Sequence, residues 1–463
     1  MFEAKVYHER RNALRKRIGS GLILLFANDE SPMNYRDNTY DFRQDSSFLY
    51  YFGLNDPGMI GVIDADSGKD LLFGYEYTLD DTIWMGPQPS LRERGKLAGI
   101  SDVVSSEKTT ENIAAWIKQG RKIHIIPPYR AEHELKLQTL LDINSTDIKS
   151  YVSTDLIRAI VAQRSVKTDL EIAEIEKAHD ITRKMHITAM QMTRSGMYEC
   201  EIVAIVKQIA TAGGGNPSFP VIFSVHGETL HNHYHGNRMV EGEMVVHDSG
   251  AESFTGYAAD ITRTFPVSGK FSQQQREIYE IVLKAENACI EAVKPGMHNR
   301  EVHLLAARTI CDGLRSLQLM KGDPDEAVEQ GAHALFFPHG IGHMMGLDVH
   351  DMENLGENYV GYDEKTDRSG QFGLSALRLA KELQPGYVLT VEPGIYFIPA
   401  LIDRWRAEKK HNDFINYPAL DNYRKFGGVR IEDDVLVTGT GHRVIGKPIP
   451  KEAAEVEQTC QER

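Results

Sequence analysis

Residues 245–267 read VVHDSGAESFTGYAADITRTFPV. Valine, isoleucine, threonine and phenylalanine on both sides of a Gly/Ser/Thr centre predict two strands joined by a turn. Each strand carries one acid, Asp248 and Asp260. On a pleated, half-buried surface a carboxylate is costly unless it is paired or coordinated. Two such acids side by side call for a cation, and the search for its other ligands runs through the second half of the chain.

Three more segments answer. FFPHGIGHMMGLDVHD supplies His339, His343 and His350, LTVEPGIYFI puts Glu392 at the end of a β-run against a Pro-Gly turn, and FGGVRIEDDVLVT puts Glu432 inside a strand near Arg430. Taken singly, Asp248 would serve as a turn cap and Glu432 as an edge-strand partner of Arg430. His339 and His343 have the spacing of a helical zinc motif. However, the Gly-Ile-Gly between them is poor helix, and no glutamate follows His339. Taken together, four buried acids require metal or cations to neutralise them. Four carboxylates and one histidine form a hard, oxygen-rich donor set that suits manganese, cobalt or zinc. The set is too large for one tetrahedral ion. It fits two ions sharing carboxylates, about 3.5–4 Å apart in hydrolytic pairs.

At 463 residues the chain calls for two domains. The net charge of −14 makes nucleic acid or an anionic membrane an improbable partner. The start, MFEAKVYHERRNALRKR, has no apolar signal-peptide core, and no apolar run approaches the ~20 residues of a membrane span. Cys200, Cys289, Cys311 and Cys460 have no paired spacing. They indicate a reducing compartment, so the expected location is cytoplasmic. GLILLFA, MIGVIDADSGKDLLFGYEY and RKIHIIPPY alternate with helical TENIAAWIKQ, which predicts an α/β domain over residues 1–160. A long helix opened by a Thr168–Glu171 capping box then begins the second domain, 161–463, with Ile172, Ile175 and Met185 near one face. A faint repeat, RSGMYECEIV at 194–203 and KPGMHNREVH at 294–303, hints at a duplicated helix-turn-helix unit with a site at its seam. In it Gly196 and Gly296 end the first helix of each unit, and Glu201 and Glu301 sit early in the second.

The segments HDSGAESFTGYAADITRTF, HGIGHMMGLDVHD, TVEPGIY and GGVRIEDD occur in the order found in the pita-bread metallopeptidases that cleave Xaa-Pro bonds. The chain thus resembles the proline dipeptidases (prolidases) and aminopeptidases P, and FRQDSSFLYYFGLNDPGMIGVID extends the likeness into the first domain. The resemblance implies an α/β N-terminal domain and an α+β pita-bread catalytic domain of the creatinase/methionine aminopeptidase type. It implies that Asp248 binds one metal, Asp260 and Glu432 bridge both, and His343 and Glu392 complete the other. Glu392 resembles the proton shuttle, and His350 and His339 lie beside the scissile carbonyl and the substrate. His231 matches the upstream family histidine. In LHNHYHGN, His231, His233 and His235 alternate, which would put all three on one strand face. Tyr396 follows the Glu-Pro-Gly turn as a further substrate contact. Manganese is the first expectation for the two divalent ions, with cobalt or zinc next, and the assembly implied is a homodimer.

Two departures stand out. Asp248 and Asp260 are one residue further apart than in the family, which an enlarged ESFTG turn would absorb. Phe219 stands where relatives often carry tyrosine. The insert between VHD and VEPG contains GLSALRLAKELQPG, similar to prolidases, and Arg378 matches the arginine that grips the dipeptide carboxylate. A guanidinium fork pairs a carboxylate bidentately and so measures substrate length. The reading is therefore an Xaa-Pro dipeptidase, with aminopeptidase P on longer peptides as the near alternative. A metal-free creatinase-like hydrolase and a metal-free binding module are the distant ones, and the intact ligand set opposes both.

Overall fold

The computed structural model describes residues 1–462. They form two compact units, Met1–Arg164 with the short segment Asn354–Tyr359, and Ser165–Glu353 continued from Val360 onward. The first is a mixed sheet of β1 (Leu22–Phe26), β2 (Ile60–Asp64), β3 (Asp70–Gly74), β4 (Asp102–Ser105) and β5 (Ile123–His124), in the order β4-β3-β2-β1-β5. β1–β2 and β2–β3 are antiparallel, whereas β3–β4 and β1–β5 are parallel, so helical crossovers are needed. Leu22, Leu24, Phe26, Val62 and Phe73 pack against Ile113 of the helix Thr109–Lys118 and Leu137 of the helix Ala131–Leu141 that follows β5. The three β-rich runs and the helix expected from the sequence are present here.

In the second unit, the helix Asp169–Met192 starts with the Thr168–Glu171 capping box and buries Ile175 and Met185. It pairs with Glu199–Ala212, as Gln273–Ala292 pairs with Asn299–Ser316. The repeat is real in three dimensions. Gly196 and Gly296 both take left-handed φ, +97° and +84°, in the connecting turns. A Cβ on Gly213 or Gly313 would meet Ile181 or Ile281 at 2.6 Å, so both pairs cross closely at equivalent glycines.

The helices cover short strands whose registers matter more than their lengths. β6 (Ile222–Ser224), β7 (Met244–Ser249) and β8 (Ile261–Pro266) form one antiparallel sheet. Asp248 pairs with Thr262, so Asp260, one residue before β8, shares their face. β9 (Val388–Val391) pairs with β12 (Asp433–Val437), and β10 (Gly394–Tyr396) pairs with β11 (Gly428–Arg430). β13 (His442–Val444) completes the β9–β12 sheet. The register is the same on both sides of the break at Pro393, which lays Glu392 opposite Glu432. Glu432 is not inside a strand, as expected, but in a single bridge to Thr262 between β11 and β12.

Candidate metal centre

Three backbones converge on one face. Thr262–Glu432 bridging brings the Glu432 carboxylate to the side of Asp248 and Asp260. Residues 341–345 run extended along β9, with Thr390 N donating to His343 O and Glu392 N to Ile341 O. The close approach explains the Gly-Ile-Gly: a Cβ on Gly342 would lie 2.0 Å from Thr390 O. The segment is not helical, as the glycines require, and His343 faces the carboxylates.

Ligand atoms of Asp260, His343 and Glu432 all lie within 4.8 Å of one another. His343 Nε2 is 3.4 Å from Asp260 Oδ2 and 3.8 Å from Glu392 Oε1. Asp248 lies on the same cavity but turns one oxygen to Arg430 Nη2. Asp248 Oδ1 and Asp260 Oδ1 are buried without a hydrogen-bond partner among the described residues. Burial and then repulsion from Asp248, Asp434 and Glu392 hold Asp260 well above the usual carboxylate range. Glu432 is raised in the same way by burial, Asp260, Glu392 and Asp248, and Glu392 by burial above all. Three acids whose ionisation this crowding and burial disfavour, with two orphaned oxygens and an imidazole beside them, fit hard divalent cations, which would reverse those shifts.

Neighbours hold the carboxylates in place. Thr262 Oγ1 donates to Glu432 Oε2 at 2.6 Å and accepts from Arg430 Nε at 3.1 Å. Asp434 Oδ2 accepts from Asp260 N at 3.0 Å and lies 2.7 Å from His179 Nε2. The Arg263 guanidinium donates to Glu432 O and to Asp433. From the sequence, Arg430 is expected as a partner of Glu432. It pairs instead with Asp248, Thr262 and the Tyr396 hydroxyl.

The cavity beside these groups is about 440 Å³ and includes His231, His233, His339, His350 and Arg378. Phe219, Pro220, Ile222, Leu230, Pro338 and Val349 supply its apolar wall, which the sequence had not revealed. His339 Nδ1 lies 2.8 Å from Gly340 O and its Nε2 2.8 Å from the Tyr396 hydroxyl, so both nitrogens are engaged. Burial, Arg430 and His231 push its pKa down to about 3, although hydrogen bonding to Gly340 opposes them. His350 Nδ1 faces Glu353 at 3.0 Å, and its ring lies 3.9 Å from that of His343. The alternating histidines at 231–235 do not form a strand. His235 turns to Val221 O at 2.9 Å, while His231 and His233 stay on the cavity. The segment meets β6 through side chains instead of a backbone ladder, with Asn232 Nδ2 donating to Ser224 Oγ at 2.9 Å. The turn between Asp248 and Asp260 closes with Glu252 bridging Ala258.

The four cysteines are free thiols, and no described helix is long and apolar enough to cross a membrane. Comparison with known proteins agrees with the geometry. The family model for aminopeptidase P, N-terminal domain, matches residues 7–126, and that for metallopeptidase family M24 matches residues 173–439. Human Xaa-Pro dipeptidase is 33% identical, aligned over 95% of this chain and 89% of its own. A probable Xaa-Pro aminopeptidase of Fusarium vanettenii is also 33% identical, over 97% of this chain and 95% of its own. Zn-substituted Escherichia coli aminopeptidase P in complex with product superposes with a TM-score of 0.81 at 28% identity, covering 100% of both chains. Aminopeptidase PepP of Pseudomonas aeruginosa matches with the same TM-score at 27% identity, over 99% of this chain and 98% of its own. The architecture is therefore an aminopeptidase P-type N-terminal domain and a pita-bread catalytic domain. A matched family model spanning more than half the chain, and a converged carboxylate–histidine site within it, establish that the chain belongs to metallopeptidase family M24.

Proposed function

We propose that the enzyme hydrolyses Xaa-Pro bonds, with Xaa-Pro dipeptides as its main substrates. The observation that carries the dipeptide reading is Arg378, which comes from the prolidase-like insert and lines the same cavity as Asp248, Asp260, His343, Glu392 and Glu432. Those five residues would hold two divalent ions, manganese first, with cobalt or zinc as alternatives. When bound, such a pair lowers the pKa of water and polarises a carbonyl.

The chain's own groups would do the rest. Glu392 lies between His343 and His339, 3.8 and 3.9 Å from their nearest nitrogens. From there it would accept the proton of the attacking water and return it to the proline nitrogen. His350, its Nδ1 turned to Glu353, would offer Nε2 to the developing oxyanion. His231 would bind the peptide at the cavity rim, and Tyr396 would hold His339 and Arg430 in register. An Xaa-Pro amide has no N–H, so its recognition falls to shape. The wall of Phe219, Pro220, Ile222 and Leu230 would receive the ring. Arg378 would read the carboxylate.

Aminopeptidase P activity on longer peptides is the second reading, favoured by the superposition on solved enzymes of that name. Hydrolysis of Ala-Pro, Gly-Pro and Ala-Pro-Ala with manganese, then after chelation, decides between them. Metal-dependent cleavage of the dipeptides alone supports the first reading. Equal or faster cleavage of the tripeptide supports the second, and cleavage of none refutes both. A homodimer in the cytoplasm completes the proposal. The helix Leu79–Met85 exposes Leu79, Ile83 and Trp84, an apolar face a second copy would cover, and the free thiols suit a reducing compartment.

A further inference from the structure

Between the His350 segment and Arg378 stands an acid that neither a metal site nor peptide hydrolysis requires. Glu353 opens the short turn Glu353–Leu355, directly after Met352. Met352 is fully buried and has φ +64°, a left-handed backbone that is costly for a non-glycine residue and tends to mark functional sites. The turn aims the Glu353 carboxylate at two groups on the substrate side. Its Oε2 accepts from Arg378 Nη1 and lies 3.0 Å from His350 Nδ1. Its Oε1 is buried and has no hydrogen-bond partner among the described residues. Arg378 and His350 line the cavity, and Glu353 stands behind both.

Resting on the Xaa-Pro reading and deepening it, we propose that Glu353 is a specificity-determining residue that weakens recognition of the substrate's C-terminal carboxylate. A guanidinium has five N–H donors, so a second carboxylate can still bind Arg378. It does so beside an existing negative charge, and in a part-buried site that repulsion offsets much of the attraction. Glu353 thereby offsets part of the Arg378 charge at that end of the cavity. The arginine still binds a dipeptide carboxylate, but less tightly than it would without Glu353.

The test compares Ala-Pro with Ala-Pro-amide, which differ only in C-terminal charge, on the manganese-loaded enzyme and on Glu353→Gln. Glutamine keeps the shape and an acceptor for both partners and removes the charge. Any effect through His350 falls on both substrates alike and cancels in their ratio. The ratio of the amide KM to the dipeptide KM should rise roughly tenfold in Glu353→Gln. In an Arg378→Ala background the same substitution should leave the ratio unmoved. An unchanged or lower ratio in Glu353→Gln overturns the proposal and makes Glu353 a prop for the arginine. The wild-type enzyme supplies an independent check that needs no variant to fold. If it disfavours the amide more than about 100-fold, Arg378 reads the carboxylate undiminished and the proposal fails. Cleavage of neither substrate by the metal-loaded wild type overturns the parent reading itself, and this one with it.

Discussion

Gly342→Ala puts the fold and the metal site to one test. The added Cβ would lie 2.0 Å from Thr390 O and 2.8 Å from Thr390 Oγ1, whereas ordinary contact begins near 3.4 Å. The His343 segment and β9 must therefore separate by more than an ångström, and both sides of the clash are held by backbone. The hydrogen bonds nearest the clash are Thr390 N to His343 O at 3.0 Å and His343 N to Thr390 Oγ1 at 3.1 Å. Losing them costs about 1 kcal/mol each, and overpacking adds about 1–3 kcal/mol. A loss of about 3–5 kcal/mol corresponds to a Tm drop of roughly 5–8 °C in a unit of this size. Displacing His343 also moves its Nε2 away from Asp260 and Glu432. Misplacement by about 1 Å is enough to cost on the order of 100-fold in a positioned reaction. The assay is a thermal melt with chelator, followed by manganese titration and turnover. Gly439→Ala, with nothing within 4 Å of its Cβ, is the control. A Tm within about 1 °C of wild type, with undiminished manganese affinity, would refute the argument that glycine is there for close approach.

Two further outcomes follow from the same geometry. Chelation should lower the Tm of the wild-type enzyme, because it leaves four mutually repelling carboxylates together. Asp260→Ala should be far less sensitive to chelator while losing activity, whereas Glu392→Gln should stay folded and metal-responsive but lose turnover; near-wild-type turnover would end its assignment as proton shuttle. The buried His303 and His333, whose ring nitrogens have no hydrogen-bond partners among the described residues, make stability pH-dependent. Burial lowers His333 to about 4, so the unfolded chain takes up its proton first as pH falls through 6.5. Stability is full above 6.5 and is lost towards 4, by about 2 kcal/mol at pH 5 from this residue. His333→Leu should flatten the Tm profile between pH 7 and 5, and an unaltered slope would dismiss the histidine as its source.

The chain's chemistry was legible where residue type and spacing carry it. Asp248, Asp260, His343 and Glu432 sit in β-rich or glycine-rich settings that ordinary surface acids avoid and are buried, while Glu392, in a similar setting, is half-buried. The α/β alternation of the first domain and the capping box at Thr168 were legible for the same local reason. What misled was local pattern without a partner: the alternating histidines at 231–235 looked like a strand, yet pairing is a property of two segments.

Tertiary structure decided everything that depends on register. Arg430 and Asp248 are 182 residues apart, and only the β7–β8 register and the Thr262–Glu432 bridge turn one towards the other. The opposition of Glu392 and Glu432 depends on two strand pairs keeping one register across Pro393. The approach of Glu353 to both His350 and Arg378 depends on a left-handed methionine within an insert. The sequence alone determined which groups this protein must neutralise, because burying a charge has a cost wherever it occurs. It could not determine which neighbours share that cost, because these long-range contacts are set by the folded backbone.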